Sequence, residues 1–183
     1  TEQLNVREGK QFLEPFTSMN PFHCVPFLEL DDGTVISESI SICRYLEEIY
    51  PNPALFGTTA ETRAIIDMWL RRFELDGFLP MLHAVRNHLE NFKGRVIPGT
   101  RTDLPQVPQM VTRGIEMGKM FLERVEPHMA ENEFVAGSRF SVADITAFFT
   151  IKLTTPLKID INASYPGVAA WMDRMSKREA FNI

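Results

Sequence analysis

The sequence predicts a small α/β unit followed by an all-α unit, and three stretches carry that prediction. "VPFLELDDGTVIS" (25–37) reads as two short strands around an Asp-Asp-Gly turn, an antiparallel hairpin with Asp32-Gly33 at its tip. "PNPALFG" (51–57) is rich in turn formers and marks a change of pattern, which sets the units at 1–52 and 53–183. Beyond Gly57, apolar residues recur at helical spacing through almost all of the remaining chain.

The elements follow in order. Leu4 and Val6 alternate with polar neighbours, which predicts a strand over 2–6. "EGKQFLEPFTSM" (8–19) predicts a short, irregular helix with Pro15 inside it. After the hairpin, Ile40, Ile42 or Cys43, Leu46, and Ile49 or Tyr50 fall on one face of a helix over 39–50, and Pro51 and Pro53 end it. A long helix over 60–92 carries Ile65, Ile66, Trp69, Leu70 and Phe73 on its apolar side, with Gly77 and Pro80 expected to bend it. The polar, proline-bearing loop "KGRVIPGTRTDLPQVP" comes next, then helices over 109–130, 141–153 and 166–176.

Composition narrows the function classes. The 183 residues are 44% apolar and 23% charged, as in soluble globular proteins. The net charge is −5 and no long basic run occurs, which argues against a nucleic-acid surface. The longest apolar stretches, such as 145–153, are too short to span a bilayer, and the polar start "TEQLNVREGK" does not resemble a signal peptide. Two cysteines, Cys24 and Cys43, make no disulfide scaffold, so a reducing cytoplasm is expected. Cys43 falls on the inner face of its helix as a small core residue. His83, His88 and His128 show no i,i+4 pairing and no carboxylate pattern, so no metal site is expected and they read as helix-surface residues.

Two small features near the hairpin carry the chemistry. Pro26 stands at the mouth of a strand, where it donates no ladder hydrogen bond. It either begins an edge strand or follows a cis peptide bond at Val25-Pro26. The second arrangement turns the main chain of Val25 outward, where an extended peptide ligand can pair with it. At the other feature, Ser39 opens a helix whose first N–H groups lack partners. The residues three positions after Ser37 and Ser39 are isoleucines, so no capping box closes the mouth. An external carboxylate can bind there, with the Ser39 hydroxyl as an extra donor and Glu38 placed for an ammonium. The alternative is that Ser39 and Glu38 simply cap the helix. Asp144 has a different character: Ser141-Val-Ala-Asp144 reads as a capping box, with Phe140 and Ile145 placed for a hydrophobic staple, so its expected role is structural.

"NPFHCVPFLELDDGTVISESISICRYLEE" (20–48) resembles the glutathione-binding segment of cytosolic glutathione transferases, of a bacterial type, and "FVAGSRFSVADITAF" (134–148) resembles the capping segment of their helical domain. The resemblance runs from Thr1 to Phe181. It implies a thioredoxin-like α/β domain, with a mixed sheet, joined to an all-helical bundle. It also implies that Val25 precedes a cis proline, Pro26, and pairs by its main chain with the cysteinyl part of glutathione. Glu38 and Ser39 would hold the γ-glutamyl end, and His23 resembles the histidine that insect-type members place near the glycine carboxylate. Many members carry Gly-Lys or Gly-Gln where this chain has His23-Cys24. The first half of the long helix, with Trp69, Arg72 and Phe73, would border the site for a hydrophobic electrophile, although core packing is an equal reading for Trp69 and Phe73.

Members of the family place one more strand and helix ahead of the segment that starts here, and the thiol-activating Ser, Tyr or Cys lies there. The catalytic residue is therefore expected upstream of Thr1. The implied activity is conjugation of the glutathione thiolate to an electrophile. Rivals are another glutathione-dependent enzyme on the same fold (a disulfide reductase, an isomerase or an ether-cleaving enzyme) and a non-catalytic assembly module. The resemblance implies a homodimer, and the charged face carrying Arg63, Asp67 and Arg71 suits either solvent or a polar interface.

Overall fold

The hairpin forms as Phe27–Glu29 (β1) and Val35–Ser37 (β2), antiparallel, with Phe27 opposite Ser37 and Glu29 opposite Val35. Residues 30–34 connect the two strands. The Gly33 N–H donates to the Leu30 carbonyl and the Leu30 N–H to the Thr34 carbonyl, both at 2.9 Å, with Gly33 in the left-handed region at φ 83°. The Asp32 carboxylate accepts the Thr34 N–H at 2.9 Å, and that bond draws its pKa below the ordinary value.

This computed structural model describes residues 1–181, and the chain divides into two compact units. The first comprises Thr1–Pro53 together with Gly94–Leu104; the second comprises Ala54–Lys93 and the chain from Pro105 onward. Upstream of the hairpin, a 3₁₀ turn at Lys10–Phe12 and one helical turn at Phe16–Met19 (α1) replace the single irregular helix. Pro15 separates them, having no N–H to continue a helical ladder. Downstream, Ser39–Ile49 (α2) starts two residues after β2.

The strand expected over 2–6 does not form. No strand lies beside it among the described residues, and the segment turns on itself instead, with the Val6 N–H donating to the Leu4 carbonyl at 3.0 Å. A lone strand leaves its backbone groups without partners, which alternation of side chains cannot remedy. The sheet of the described chain therefore has two strands.

The helical unit holds most of the buried core. Ala60–Arg72 (α3) opens on a reciprocal cap between Thr59 and Thr62. The long helix is interrupted where Gly77 and Pro80 predict it: Phe73–Phe78 forms a π-helical turn, with the Leu79 N–H reaching back five residues to the Glu74 carbonyl, before Leu79–His88 (α4) resumes. Pro108–Glu131 (α5) packs along α4, and Val142–Lys152 (α6) lies against the π turn. Ile161–Ser164 (α7) is a single turn ahead of Pro166–Ser176 (α8). Leu70, Phe73, Met81, Leu122, Ile151 and Trp171 are fully buried among these elements. The Glu126 carboxylate on α5 accepts the Gly167 and Val168 N–H groups at 2.6 and 2.9 Å, so one helix caps the start of another.

Candidate functional site

The register of the hairpin brings the two sequence features together. Because Phe27 faces Ser37, the residue before the ladder on β1 (Pro26) and the residue after it on β2 (Glu38) lie at the same end. Val25-Pro26 and Glu38-Ser39 are thus neighbours in space through local chain geometry alone.

Each is left open. The Val25-Pro26 bond is cis, Val25 is 45% exposed, and among the described residues its N–H and C=O make no main-chain hydrogen bond. Glu38 is the N-cap of α2, is exposed, and places no side-chain bond on the helix. Its φ of 70° is a left-handed conformation that a non-glycine residue rarely adopts. Ser39, the first residue of α2, is exposed as well. The mouth of α2 therefore offers N–H donors and a hydroxyl on one side and a carboxylate on the other. That donor set suits the carboxylate and ammonium of an amino acid.

Asn20 shapes the turn ahead of Val25, a role that no sequence signal marked. It is buried, donates through Nδ2 to the Cys24 carbonyl at 2.8 Å, and accepts the Phe22 N–H at 3.2 Å. His23 sits in this turn at φ 52°, its ring 4.9 Å from that of Phe12 and its Nδ1 3.2 Å from the Gly99 carbonyl. Cys24 and Cys43 are both half-buried and are not joined in a disulfide, and burial pushes the Cys43 thiol up. Among the described residues, no group of three His, Cys, Asp or Glu side chains is placed to hold a metal.

In the helical unit, Trp69 is half-buried, with Arg72 lying over its ring at 4.8 Å. Phe73 has no exposed surface: its ring meets the Phe121 ring edge-on at 5.0 Å. A side chain with no exposed surface meets no ligand, so the placing of Phe73 at an electrophile site is corrected to the core. His128 is half-buried rather than free on the helix surface. It stacks on Trp69 at 4.2 Å and its Nε2–H donates to the Val135 carbonyl at 2.8 Å. His83 and His88 are exposed.

The capping box forms and does more than cap. Ser141 donates its N–H and its hydroxyl to Asp144 Oδ2 at 2.9 and 3.0 Å, while the Val135 N–H donates to Oδ1 at 2.7 Å. Asp144 is 0% exposed, and burial raises its pKa against the pull of these three donors.

Comparison with known proteins follows the same division of the chain. Residues 1–49 match the N-terminal domain of glutathione S-transferase, and residues 114–179 match its C-terminal domain. A solved glutathione S-transferase of class Gtt2 from Vibrio parahaemolyticus superposes with a TM-score of 0.80 at 34% identity, over 98% of this chain and 80% of that one. Glutathione S-transferase 1 of Manduca sexta is 29% identical over 97% of this chain and 76% of its own length. Maleylacetoacetate isomerase of Rattus norvegicus is 27% identical over 96% and 74%. Two matched domains in the right order, with a solved relative above 30% identity over most of both chains, place this protein in the glutathione S-transferase family.

Proposed function

We propose that the protein binds glutathione on its hairpin unit and joins the thiolate sulfur to an electrophilic carbon of a small apolar molecule, which gives up a leaving group or the π bond of an activated alkene as the sulfur–carbon bond forms. The observation that supports this most is the pair of open features at one end of the hairpin. Ser39 and the first N–H groups of α2 receive the γ-glutamyl carboxylate, and Glu38 receives its ammonium. The Val25 main chain, beside Pro26, pairs with the cysteinyl residue, and His23 stands toward the glycine end. A free thiol ionises near pH 8.5, so turnover at neutral pH requires a group that stabilises the thiolate. The residues assembled here bind and orient; thiol activation is not among the roles given to them.

The test is titration calorimetry with glutathione on wild type and Ser39→Ala. The substitution should weaken binding by about 1–3 kcal/mol, the scale of a lost hydrogen bond to a charged group. Equal affinities would remove Ser39 from the site.

For the electrophile, the helical unit offers an apolar cleft of about 290 Å³ between α4 and α5, lined by Leu75, Leu79, Pro80, Met110 and Met117, with His83 at hand. These side chains are exposed or half-buried, as a binding surface requires and as Phe73 is not. Trp69 and Arg72 remain candidates on α3. The likeness to a maleylacetoacetate isomerase supports a second reading, in which the thiolate adds to an alkene and leaves again. Product analysis by NMR separates the two: a stable sulfur–carbon adduct marks conjugation, and an isomerised substrate with glutathione recovered marks the alternative.

The protein is further proposed to act as a homodimer in the cytoplasm, where cysteines such as Cys24 and Cys43 stay reduced. Among the described residues, no helix is long and apolar enough to cross a membrane. Light scattering at micromolar concentration should give about twice the chain mass of 20.9 kDa. A value at the chain mass would make it a monomer.

A further inference from the structure

The loop Gly94–Leu104 joins α4 to α5 in sequence, yet it belongs to the hairpin unit. Three contacts seat it there. The Gly99 carbonyl meets His23 Nδ1 at 3.2 Å. The Gly99 backbone also passes so close to the Phe22 carbonyl that a side chain at this position would collide with it. The Arg101 guanidinium lies 5.0 Å from the centre of the Phe12 ring and against the bare backbone of Gly9. Gly9 is at φ 77°, and any side chain there would strike the guanidinium. Phe12 in turn packs its ring on His23.

Arg101 is thus held beside the His23 turn by an aromatic face and a bare peptide, neither of which neutralises it. Among the described residues it has no carboxylate partner. A guanidinium resting on a ring keeps its edge N–H donors free, and their fork matches a carboxylate. An extended ligand that pairs with Val25 and puts one end at the mouth of α2 sends its other end along the turn at 20–24, where this cation stands.

We propose that Arg101 is a specificity-determining residue that binds the glycine carboxylate of glutathione, delivered to the hairpin unit by a loop distant in sequence. This rests on the glutathione-binding reading above. It assigns the charge at that end to Arg101, with the bond between His23 and Gly99 holding the loop in place.

The test uses two ligands, glutathione and glutathione whose glycine carboxylate has been converted to the amide, titrated into the whole chain by calorimetry. Arg101→Gln, which keeps a polar side chain over Phe12, should weaken glutathione about tenfold and the amide less than about twofold. Arg101→Lys, which keeps the charge without the fork, should fall between. An equal loss for both ligands, or no loss for either, overturns the assignment, because Arg101 would then act on the loop or not at all. Failure of the wild type to bind either ligand is a separate result: it overturns the glutathione-binding reading and this proposal with it.

Discussion

Asp144→Ala should lower the unfolding free energy by about 3 kcal/mol, more than the ~0.5–2 kcal/mol of an ordinary lost N-cap. The carboxylate is fully buried and accepts three donors from two segments: the N–H and hydroxyl of Ser141, and the N–H of Val135 nine residues upstream. Alanine strands all three in a place that water reaches poorly, and each orphaned donor costs on the order of 1–3 kcal/mol before relaxation and entering water recover part of it. Two-state domains have only ~5–15 kcal/mol in total, so the urea midpoint should fall visibly at an unchanged slope. A midpoint unmoved, with turnover abolished, would make Asp144 a residue of the chemistry and not of the fold.

The same carboxylate gives the effect a pH dependence whose sign follows from its environment. Burial is the largest influence and raises its pKa above 3.8; the hydrogen bonds from Val135 and Ser141 oppose it without prevailing. A group whose folded pKa is raised contributes stability that is fully present below the unfolded value and is lost as pH rises through the folded one. The difference in unfolding free energy between wild type and Asp144→Ala should therefore widen from neutral pH down to about pH 4. A difference that narrows over that range would mean the three donors outweigh burial.

What the sequence disclosed and what it withheld divide along the reach of each signal. Asp32-Gly33, the Ser141-x-x-Asp144 spacing and the isoleucines that leave α2 uncapped act within a few residues, and the hairpin, the buried cap and the open helix mouth all follow from them. A strand is not a local object: alternation at Leu4 and Val6 could not supply a ladder partner, and the segment turned instead. Periodicity puts Phe73 and Trp69 on the apolar side of one helix without saying what packs against them. Phe121 closes over the first, while His128 stacks on the second from a helix 59 residues away in sequence. The docking of Gly94–Leu104 on the hairpin unit was hidden for the same reason, since a polar loop with Gly and Pro carries no mark of the surface it will cover.

Phe73→Ala should cost about 3–5 kcal/mol of stability, the range for deleting a fully buried aromatic ring. The residue opens the π turn between α3 and α4 and has 0% exposure. Its ring lies 85° from the plane of Phe121 at 5.0 Å, and 6.4 Å from Trp69, so truncation empties space enclosed by α3, α5 and the π turn. That space is walled by a glycine on one side: a side chain at Gly77 would press on the Phe121 ring and on Thr150, so the elements are already at contact and have little freedom to close the void. Phe73→Leu, which keeps most of the volume, should cost less than about 2 kcal/mol. The pair of variants also separates packing from substrate contact. Both should retain the KM for the electrophile at temperatures where they are folded, with only the melting temperature ranked by the volume removed. A raised KM in Phe73→Leu at an unchanged melting temperature would return Phe73 to the substrate site and show that the core opens to admit a ligand.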